Sequence, residues 1–538
     1  MTTKFRPQAG RYPTIIYLMQ YSTIKMTKYH TSASRHRIAD RRTRVATTVA
    51  KGTWGRDVLW LAGAAGACTV AALVFTPLRM PLGWDEITYI AQTSAHVSPI
   101  LMPPAHNRGV GLLAAPITIF TTSVVILRVW MALLTGVGLF GALLSWRSLR
   151  PVRELVVAGV LVGSTAAMQI SVTEVTPNIW IAISALAVTG LALQAASGRM
   201  RPAVAAPLIA VTAFFLFLVR YQDAIFVMTP LAVALVIVPA WRNRTVFIAL
   251  ATGIGAGVVE WCAEAYLFYG NPIARWQAGE QAPKPGLYFA LPRQLRTIDG
   301  PSYCSSNASY CAQWRYPGLE LWWLTFAALA VVGFVVSRDV QRRIMAVVIA
   351  IGATELLAYG LLVPYSSPRY LLPTLTMMAI PAAAGIWRLP AITRWRLPAA
   401  SAAAMFIIVG AVSQNFVVRS ELKGAELGSH LFLQQADQIH RLGVRPPCSV
   451  AGAATPIAYY LGCSIWTGAP SEPQVVMPPD HAPAGHGWRK IWLSGLNHVP
   501  AYVRTPGRPP EPPKSLAGPS GSHPQNTLLS RSVTYPSS

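Results

Sequence analysis

Residues 58–77 read VLWLAGAAGACTVAALVFTP, and two residues later the chain continues Met80-Pro-Leu-Gly-Trp84-Asp85-Glu86-Ile-Thr-Tyr89. The first stretch is twenty residues without a charge, and a bilayer-crossing helix needs about 20 apolar residues. Ten further apolar stretches follow, at 128–146, 154–172, 179–196, 203–219, 224–240, 246–268, 320–337, 344–363, 371–387 and 399–416. The apolar run from Gly109 to Trp146 carries one charge, Arg128. It is divided there, so that 103–125 becomes a juxtamembrane or re-entrant helix and the rest a span. The expected fold class is therefore an all-α polytopic membrane protein with about eleven transmembrane helices. Composition agrees. Of 538 residues, 53% are hydrophobic and 12% charged, against about 25% charged in a soluble domain. The mean hydropathy of +0.40 excludes a soluble enzyme built around one core, and disorder for most of the chain.

The net charge of +25 suggests nucleic acid until the charges are located. Twelve Lys or Arg precede residue 57, against one acid, Asp40. Alternate loops then hold Arg147, Arg150 and Arg153; Arg199 and Arg201; Arg242 and Arg244; Arg338, Arg342 and Arg343; Arg388, Arg394 and Arg396. The opposite loops hold few basic residues and nearly all the loop acids: Asp85, Glu86, Glu174, Asp223, Glu280 and Asp299. This is the positive-inside pattern. It places the N-terminus in the cytoplasm and, with eleven spans, the C-terminus outside. The charge excess is topological, and nucleic acid is not an expected partner. Four regions are expected: a basic disordered N-terminus (1–56), a membrane domain (57–417), a small extracytoplasmic domain (418–499) and a Pro-rich disordered tail (500–538).

The six cysteines divide by place. Cys68 and Cys262 lie in apolar stretches as small hydrophobes. Cys304 and Cys311 share the long loop 269–319, and Cys448 and Cys463 share the C-terminal region. Both pairs fall on the side opposite the basic loops, so two disulfides in an oxidising compartment are expected. A metal site is the alternative, but no His stands at ligand spacing beside either pair. Asn307-Ala-Ser309 is a glycosylation sequon on the same side.

The residues able to carry chemistry cluster in the acidic loops. Asp85 and Glu86 stand between Trp84 and Tyr89, and Ile87, Ile90 and Ala91 begin an amphipathic surface helix. A carboxylate at a membrane-edge cleft serves as a general base; a solvated loop acid is the plainer alternative. His106 and Arg108, in Pro103-Pro-Ala-His-Asn-Arg-Gly109, suit a phosphate. Glu174, in the turn between the third and fourth spans, is costly at membrane depth unless it lines a polar cavity. Arg220 and Asp223 either pair with each other or face that cavity. In Pro364-Tyr365-Ser-Ser-Pro368-Arg369-Tyr370-Leu-Leu-Pro373 the single charge, Arg369, runs against the sidedness trend, and Tyr365 and Tyr370 flank it. An anionic lipid headgroup is its natural partner, with interfacial snorkelling as the alternative. Glu260 and Glu264, four apart on one helix face, either line the same cavity or lie at the water boundary.

In their order and sidedness these motifs resemble the GT-C superfamily of membrane glycosyltransferases. Within it they are nearest to the family 39-like members, the protein mannosyltransferases and the aminoarabinose transferase of lipid A. The resemblance covers roughly residues 55–420. It rests on Trp84-Asp85-Glu86 after the first span, on Arg108-Gly109 leading into a juxtamembrane helix, and on Ser367-Pro368-Arg369-Tyr370-Leu-Leu-Pro373. The Cys448–Cys463 segment is similar to the small outer domain of actinobacterial members. The resemblance implies a sugar donor carried on a polyprenyl phosphate, transfer with inversion, and an acid of the first outer loop as general base. It implies Asp85 as that base with Glu86 beside it, Arg369 and Arg108 on the lipid phosphate, and Glu174, Arg220 and Tyr370 near the substrates. The acceptor is then a glycan, glycolipid or protein of the cell envelope, reached from the extracytoplasmic face of the plasma membrane. No cofactor is assigned: some relatives use a divalent metal, but no metal cluster stands out in this sequence. The loop after the seventh span departs from the family in lacking a Lys/His phosphate cluster. The C-terminal region reads as a small α/β domain, with a helix at 426–442, a strand at 449–451 and a helix at 458–461. A transporter or lipid flippase is the rival reading. It accounts for the spans and buried acids, and leaves the acidic pair and the disulfide-bearing domain without a purpose.

Overall fold

A computed structural model of the chain describes residues 54–95, 97, 102–279, 286–298, 303–304, 319–392, 396–452, 455–465, 473–477, 488–493 and 499–504. Internal contacts divide the chain into residues 1–60 and 61–538. The described part of the first unit is the opening of one helix, and the contacts below belong to the second. In chain order the helices are α1 (Trp54–Phe75), α2 (Trp84–Ile90), α3 (Gly109–Thr118), α4 (Val124–Leu144), α5 (Val152–Gly163), α6 (Ala166–Ser171), α7 (Pro177–Ala196), α8 (Pro202–Val219) and α9 (Tyr221–Ile237). They continue as α10 (Arg244–Phe268), α11 (Pro272–Gly279), α12 (Leu291–Thr297), α13 (Leu319–Val336), α14 (Asp339–Leu362), α15 (Leu372–Ile392), α16 (Arg396–Arg441) and α17 (Thr455–Leu461).

The chain is a polytopic helical membrane protein, and each of the eleven expected stretches is helical. Among the described residues, nine helices are long and apolar enough to cross a membrane. The other two expected spans fall short. The stretch 154–172 breaks into α5 and α6 at Ser164–Thr165, where the Thr165 hydroxyl accepts the Met168 amide at 3.3 Å. A side chain that caps a new helix competes with continuation of the old one. The stretch 224–240 forms α9, 17 residues long with Pro230 inside it.

The division at Arg128 is corrected. The chain breaks between α3 and α4, at 119–123, and Arg128 lies inside α4, fully buried. A lone Arg in an apolar helix predicts a break only while its partner is unknown; here Glu86 of α2 supplies the countercharge.

The basic loops share one end of the bundle. Arg150 donates to Gln341 at 2.7 Å, and the Arg153 guanidinium lies 5.0 Å from the Trp387 ring centre. Asn243 donates to the Ala195 carbonyl at 3.3 Å, and Arg388 to the Val336 carbonyl at 2.9 Å. The acidic loops therefore meet at the other end.

Helix crossings use small residues, which let backbones approach without a hydrophobic drive between helices. The tightest joins α13 to α15: a Cβ at Gly333 would strike the Pro381 carbonyl, and one at Gly385 the Leu329 carbonyl. The centre of the bundle is α7, buried on nearly every face, as its all-round apolar sequence requires.

At 46 residues, α16 is roughly 70 Å long, against an apolar bilayer core of about 30 Å. Its second half reaches a five-stranded sheet of β1 (Ser449–Gly452), β2 (Ser464–Ile465), β3 (Val475–Met477), β4 (Trp488–Leu493) and β5 (Val499–Arg504), in the order β2-β1-β3-β5-β4. Strand β1 runs parallel to β2 and β3, and β5 antiparallel to β3 and β4. The expected strand at 449–451 and helix at 458–461 are β1 and the end of α17. The expected boundary at 417/418 falls within α16, and the expected tail from 500 begins within β5. Cys448 and Cys463 form a disulfide. Cys304 is disulfide-bonded; Cys311 and the sequon at 307–309 lie outside the described residues, as do Glu280 and Asp299. Cys68 and Cys262 are free thiols.

Gly385→Leu forces a side chain into the backbone of α13. Overpacking of this kind costs about 1–3 kcal/mol or more. The variant should unfold at lower denaturant in mixed micelles, whereas Gly141→Leu, where a Cβ meets nothing within 4 Å, should match wild type.

Candidate functional site

Helix α2 has seven residues, too few to persist without tertiary support. Glu86 supplies much of that support. Its Oε1 accepts Arg128 Nη1 at 3.2 Å and the Val175 amide at 3.3 Å. Its Oε2 accepts Arg128 Nη2 at 3.2 Å and the Gly83 amide at 2.9 Å. Arg128 also donates to the carbonyls of Met80, Pro81 and Thr173. Both Glu86 oxygens are thus saturated, and the residue is 4% exposed. Glu86 caps α2 and ties it to α4 and to the 172–176 turn, which leaves it no lone pair for a substrate proton.

Asp85, one residue earlier, points elsewhere. Its carboxylate pairs with Arg369, 284 residues away in sequence. The side chains keep 36% and 25% of their surface exposed, so the pair is reachable. Capping falls to Glu86, which frees Asp85 from that duty. Burial raises the Asp85 carboxyl, but the charges of Arg369, His106 and Arg220 outweigh it and hold the group below the usual carboxylate range. Asp85 is therefore ionised at neutral pH.

The sequence places Arg369 by breaking a helix. Pro364 and Pro368 both follow the end of α14 at Leu362, and Pro368–Leu371 forms a single tight turn before α15. The turn is buttressed from below. The Tyr370 ring stacks on Tyr359 at 4.9 Å, 9° from parallel, and the Arg369 guanidinium lies 5.7 Å from the Tyr370 ring centre. Gln294 of α12 donates to the carbonyls of Tyr359 and Tyr365 at 3.3 and 3.1 Å. Tyr370 is buried and serves as a platform for this loop.

Arg220 joins the same cluster. Its Nη1 donates to the Tyr359 hydroxyl at 2.6 Å, which donates to Asp223 at 2.7 Å. Asp223 also stands 3.6 Å from Arg220 Nε. The expected Arg220–Asp223 pairing is present, and it orients Arg220 toward Asp85 and Tyr89, whose titrations it shifts. His106 packs its ring 5.6 Å from that of Tyr89. Burial pushes its imidazole down to about 4, against the pull of Asp85, so it is neutral at pH 7. Its Nδ1 is buried and has no hydrogen-bond partner among the described residues.

Glu174 sits between Thr173 and Val175, both pinned by the Arg128–Glu86 pair. Burial, followed by the nearby Glu86 charge, lifts its carboxyl to about 7, against the opposing pull of Arg369 and Arg128. It feels the charge of both Asp85 and Arg369.

Arg108 belongs to a separate grouping. Its Nε pairs with Glu264 at 2.7 Å, and its guanidinium covers the Phe268 ring at 4.6 Å. Glu264 is shared with Arg275 at 3.0 Å. Arg275 is fully buried, lies 4.7 Å from the Trp261 ring centre and 5.1 Å from that of Tyr269, and donates to the Trp261 and His106 carbonyls at 3.0 and 3.1 Å. Arg275 thereby fixes the loop that carries His106. Sequence reasoning missed it, although an acid near the end of a span already called for a cation. Tyr359 was missed as well, since one Tyr in an apolar helix carries no signal.

Nothing among protein-family models or curated proteins matches this sequence. Solved structures do. The crystal structure of ArnT from Cupriavidus metallidurans bound to undecaprenyl phosphate matches with a TM-score of 0.57 at 12% identity, over 86% of this chain and 99% of its own. The apo state of the same protein matches with a TM-score of 0.53 at 12% identity, over 84% and 98%. The apo Archaeoglobus fulgidus oligosaccharyltransferase gives a TM-score of 0.43 at 9% identity, over 75% and 63%. The chain therefore shares the fold of ArnT over most of its length.

Folded Glu174 keeps its proton up to about pH 7, while an ordinary glutamate releases it near 4.5. Between those values the folded state binds more protons than the unfolded state, so stability falls as pH rises. Glu174→Gln should remove that part of the slope: its unfolding midpoint in mild detergent should drop less between pH 5 and pH 8 than that of wild type. An unchanged slope would exclude Glu174 as its source.

Proposed function

We propose that the chain is a membrane glycosyltransferase that moves a sugar from a polyprenyl-phosphate donor to a cell-envelope acceptor, with inversion and with Asp85 as general base. The observation that carries this reading is the Asp85–Arg369 pair. Glycosyl transfer from a phosphate needs an acid–base group for the acceptor hydroxyl and a cation for the departing phosphate. Two loops from opposite halves of the sequence bring one of each together on the fold of a polyprenyl-phosphate-binding enzyme.

The pairing also supplies an order of events. The donor phosphate competes with Asp85 for Arg369, and Arg220, held by Tyr359 and Asp223, adds a second cation. Once Arg369 turns to the phosphate, Asp85 loses its strongest charge partner, and its proton affinity rises. It then accepts the proton of the acceptor hydroxyl as that oxygen attacks the anomeric carbon. The bond from that carbon to the phosphate oxygen breaks on the opposite face, and its electron pair leaves on the phosphate. Arg108, exposed over a third of its side chain, is a further contact for the lipid phosphate. Glu86 and Tyr370 hold the machinery in place without touching substrate. The site lies at the bundle end opposite the basic loops, which the positive-inside pattern makes extracytoplasmic.

Arg369→Ala in nanodiscs should weaken undecaprenyl phosphate binding at least about tenfold, and Arg369→Lys should weaken it less, since it keeps the charge and loses the fork. Asp85→Asn should still bind the lipid and lose roughly 100- to 10,000-fold in transfer. In cells, the glycoconjugate that loses one sugar on gene deletion should return with the wild-type gene and not with the Asp85→Asn form. Complementation by Asp85→Asn to near wild-type levels would overturn the base assignment, and unchanged lipid binding by both Arg369 variants the donor assignment.

A further inference from the structure

The disulfide-bearing domain reaches the site's scaffold through α17, where Tyr459 and Tyr460 pack against the transmembrane core. Tyr460, on α17, donates its hydroxyl to the Leu82 carbonyl at 3.0 Å. Leu82 is buried and precedes Gly83, the N-cap position of α2, whose amide Glu86 accepts. The Tyr460 ring packs against the transmembrane core and against the core of the small domain, and no other described residue joins these two. Two further contacts reach the same segment from α16. Phe432 meets Trp84 edge to face at 6.3 Å, and Val417, Val418 and Leu422 cluster with Met80. The approach to α2 is therefore gripped on one side by Arg128 and on the other by the C-terminal region.

Helix α17 also has seven residues and cannot hold itself. Its end is fastened covalently: Cys463 follows it by two residues and is bonded to Cys448 at the start of β1. The Cys463 amide donates to Ala458 and the Ser464 amide to Cys448, both at 2.9 Å. The staple thus fixes the helix that fixes Leu82.

We infer that the small C-terminal domain positions the Asp85 helix, with Tyr460 as the positioning residue and the Cys448–Cys463 bond as the clamp on Tyr460. The inference rests on the reading of Asp85 and Arg369 as the reacting pair. A displacement of about 1 Å at a reacting group costs on the order of 100-fold in rate, so a short helix bearing a base requires restraint from both sides. The domain acts on the reaction through α2 and touches no reacting atom itself.

The test is a double-mutant cycle on the full-length protein in nanodiscs, read by binding of undecaprenyl phosphate. In the wild-type background, Asp85→Asn removes the carboxylate that competes for Arg369 and should tighten binding roughly five- to tenfold. In a Tyr460→Ala background α2 has drifted and the competition is already relieved, so Asp85→Asn should change binding less than about twofold. Hydrogen exchange of the Ile87–Ala91 amides should quicken at least about fivefold in Tyr460→Ala, and in the Cys448→Ser/Cys463→Ser variant, with α7 unchanged. Tyr460→Phe keeps the ring, loses only the bond to Leu82, and should fall between. If Tyr460→Ala fails to fold, Tyr460→Phe and mild thiol reduction carry the same comparison. An equal Asp85→Asn effect in both backgrounds, with α2 exchange unchanged, overturns the inference: Tyr460 is then only a packing residue. A purely structural loss from Tyr460→Ala would weaken binding equally with and without Asp85→Asn, and that additivity also overturns the inference. If Asp85→Asn leaves wild-type binding unaltered, the donor reading fails by itself. The α2 exchange rates then decide positioning alone, faster exchange upholding it and unchanged exchange overturning it.

Discussion

A guanidinium buried inside an apolar helix is tolerated only when its charge is answered, and Glu86 answers Arg128 with both carboxylate oxygens. Removing either member of such a pair costs about 3–5 kcal/mol, because the survivor is left as a bare buried charge. Arg128 spends its donors on Glu86 and on three carbonyls drawn from two segments, 80–81 and 173. One side chain of α4 thus locates the entry to α2 and the turn before α7. Asp85 and Glu174 stand immediately beside those anchored atoms. Their positions follow from the electrostatic requirement of a residue that touches neither.

With the scaffold fixed, the charges at this end balance by exchange. Asp85 pairs with Arg369, and Asp223 and Tyr359 engage Arg220. Neither cation waits unpaired at the membrane boundary, where an isolated charge is expensive. In the proposed reaction a lipid phosphate arriving at Arg369 replaces one anion with another, so binding does not demand new desolvation of a bare guanidinium, and the released carboxylate is the proposed base.

The fold was legible because it rests on composition. An apolar stretch of about 20 residues has one stable solution in a bilayer, and all eleven stretches are helical. The failures were local. Nothing in the apolar character of 154–172 announces that Thr165 caps a second helix, and Arg128 looked like a boundary because its countercharge is 42 residues upstream. The site was legible in its residue types and less so in its assignments. Asp85 and Glu86 are neighbours in sequence, but successive residues on a helix point about 100° apart, so one faces Arg369 and the other Arg128. Arg108 and Arg369 read alike as loop cations. Only folding shows that Glu264 takes the first and Asp85 the second. Arg275 was hard to single out because its worth lies in carbonyls, rings and one acid gathered from two segments, 104–106 and 261–269.

The two ends of the bundle use arginine differently, and the difference separates topology from chemistry. At the basic end the guanidiniums turn to backbone carbonyls at helix ends: Arg242 to Val236, Arg342 to Val335 and Arg388 to Val336, at 2.8 to 2.9 Å. These contacts satisfy orphan carbonyls and the negative end of the helix dipole. The acid pair described there, Arg150 with Glu154, spans one helical turn. At the opposite end, beside the local Arg220–Asp223 and Arg275–Glu264 pairs, three arginines meet carboxylates across 42, 156 and 284 residues of chain. A cation that answers a nearby carbonyl can be supplied by any basic residue in the loop, which is why the sidedness rule counts charges without regard to position. A cation that answers a distant carboxylate must be built by the whole fold. Arg369 is of the second kind, breaks the sidedness pattern, and remains partly exposed. That combination sets it apart from the cations that only orient the chain.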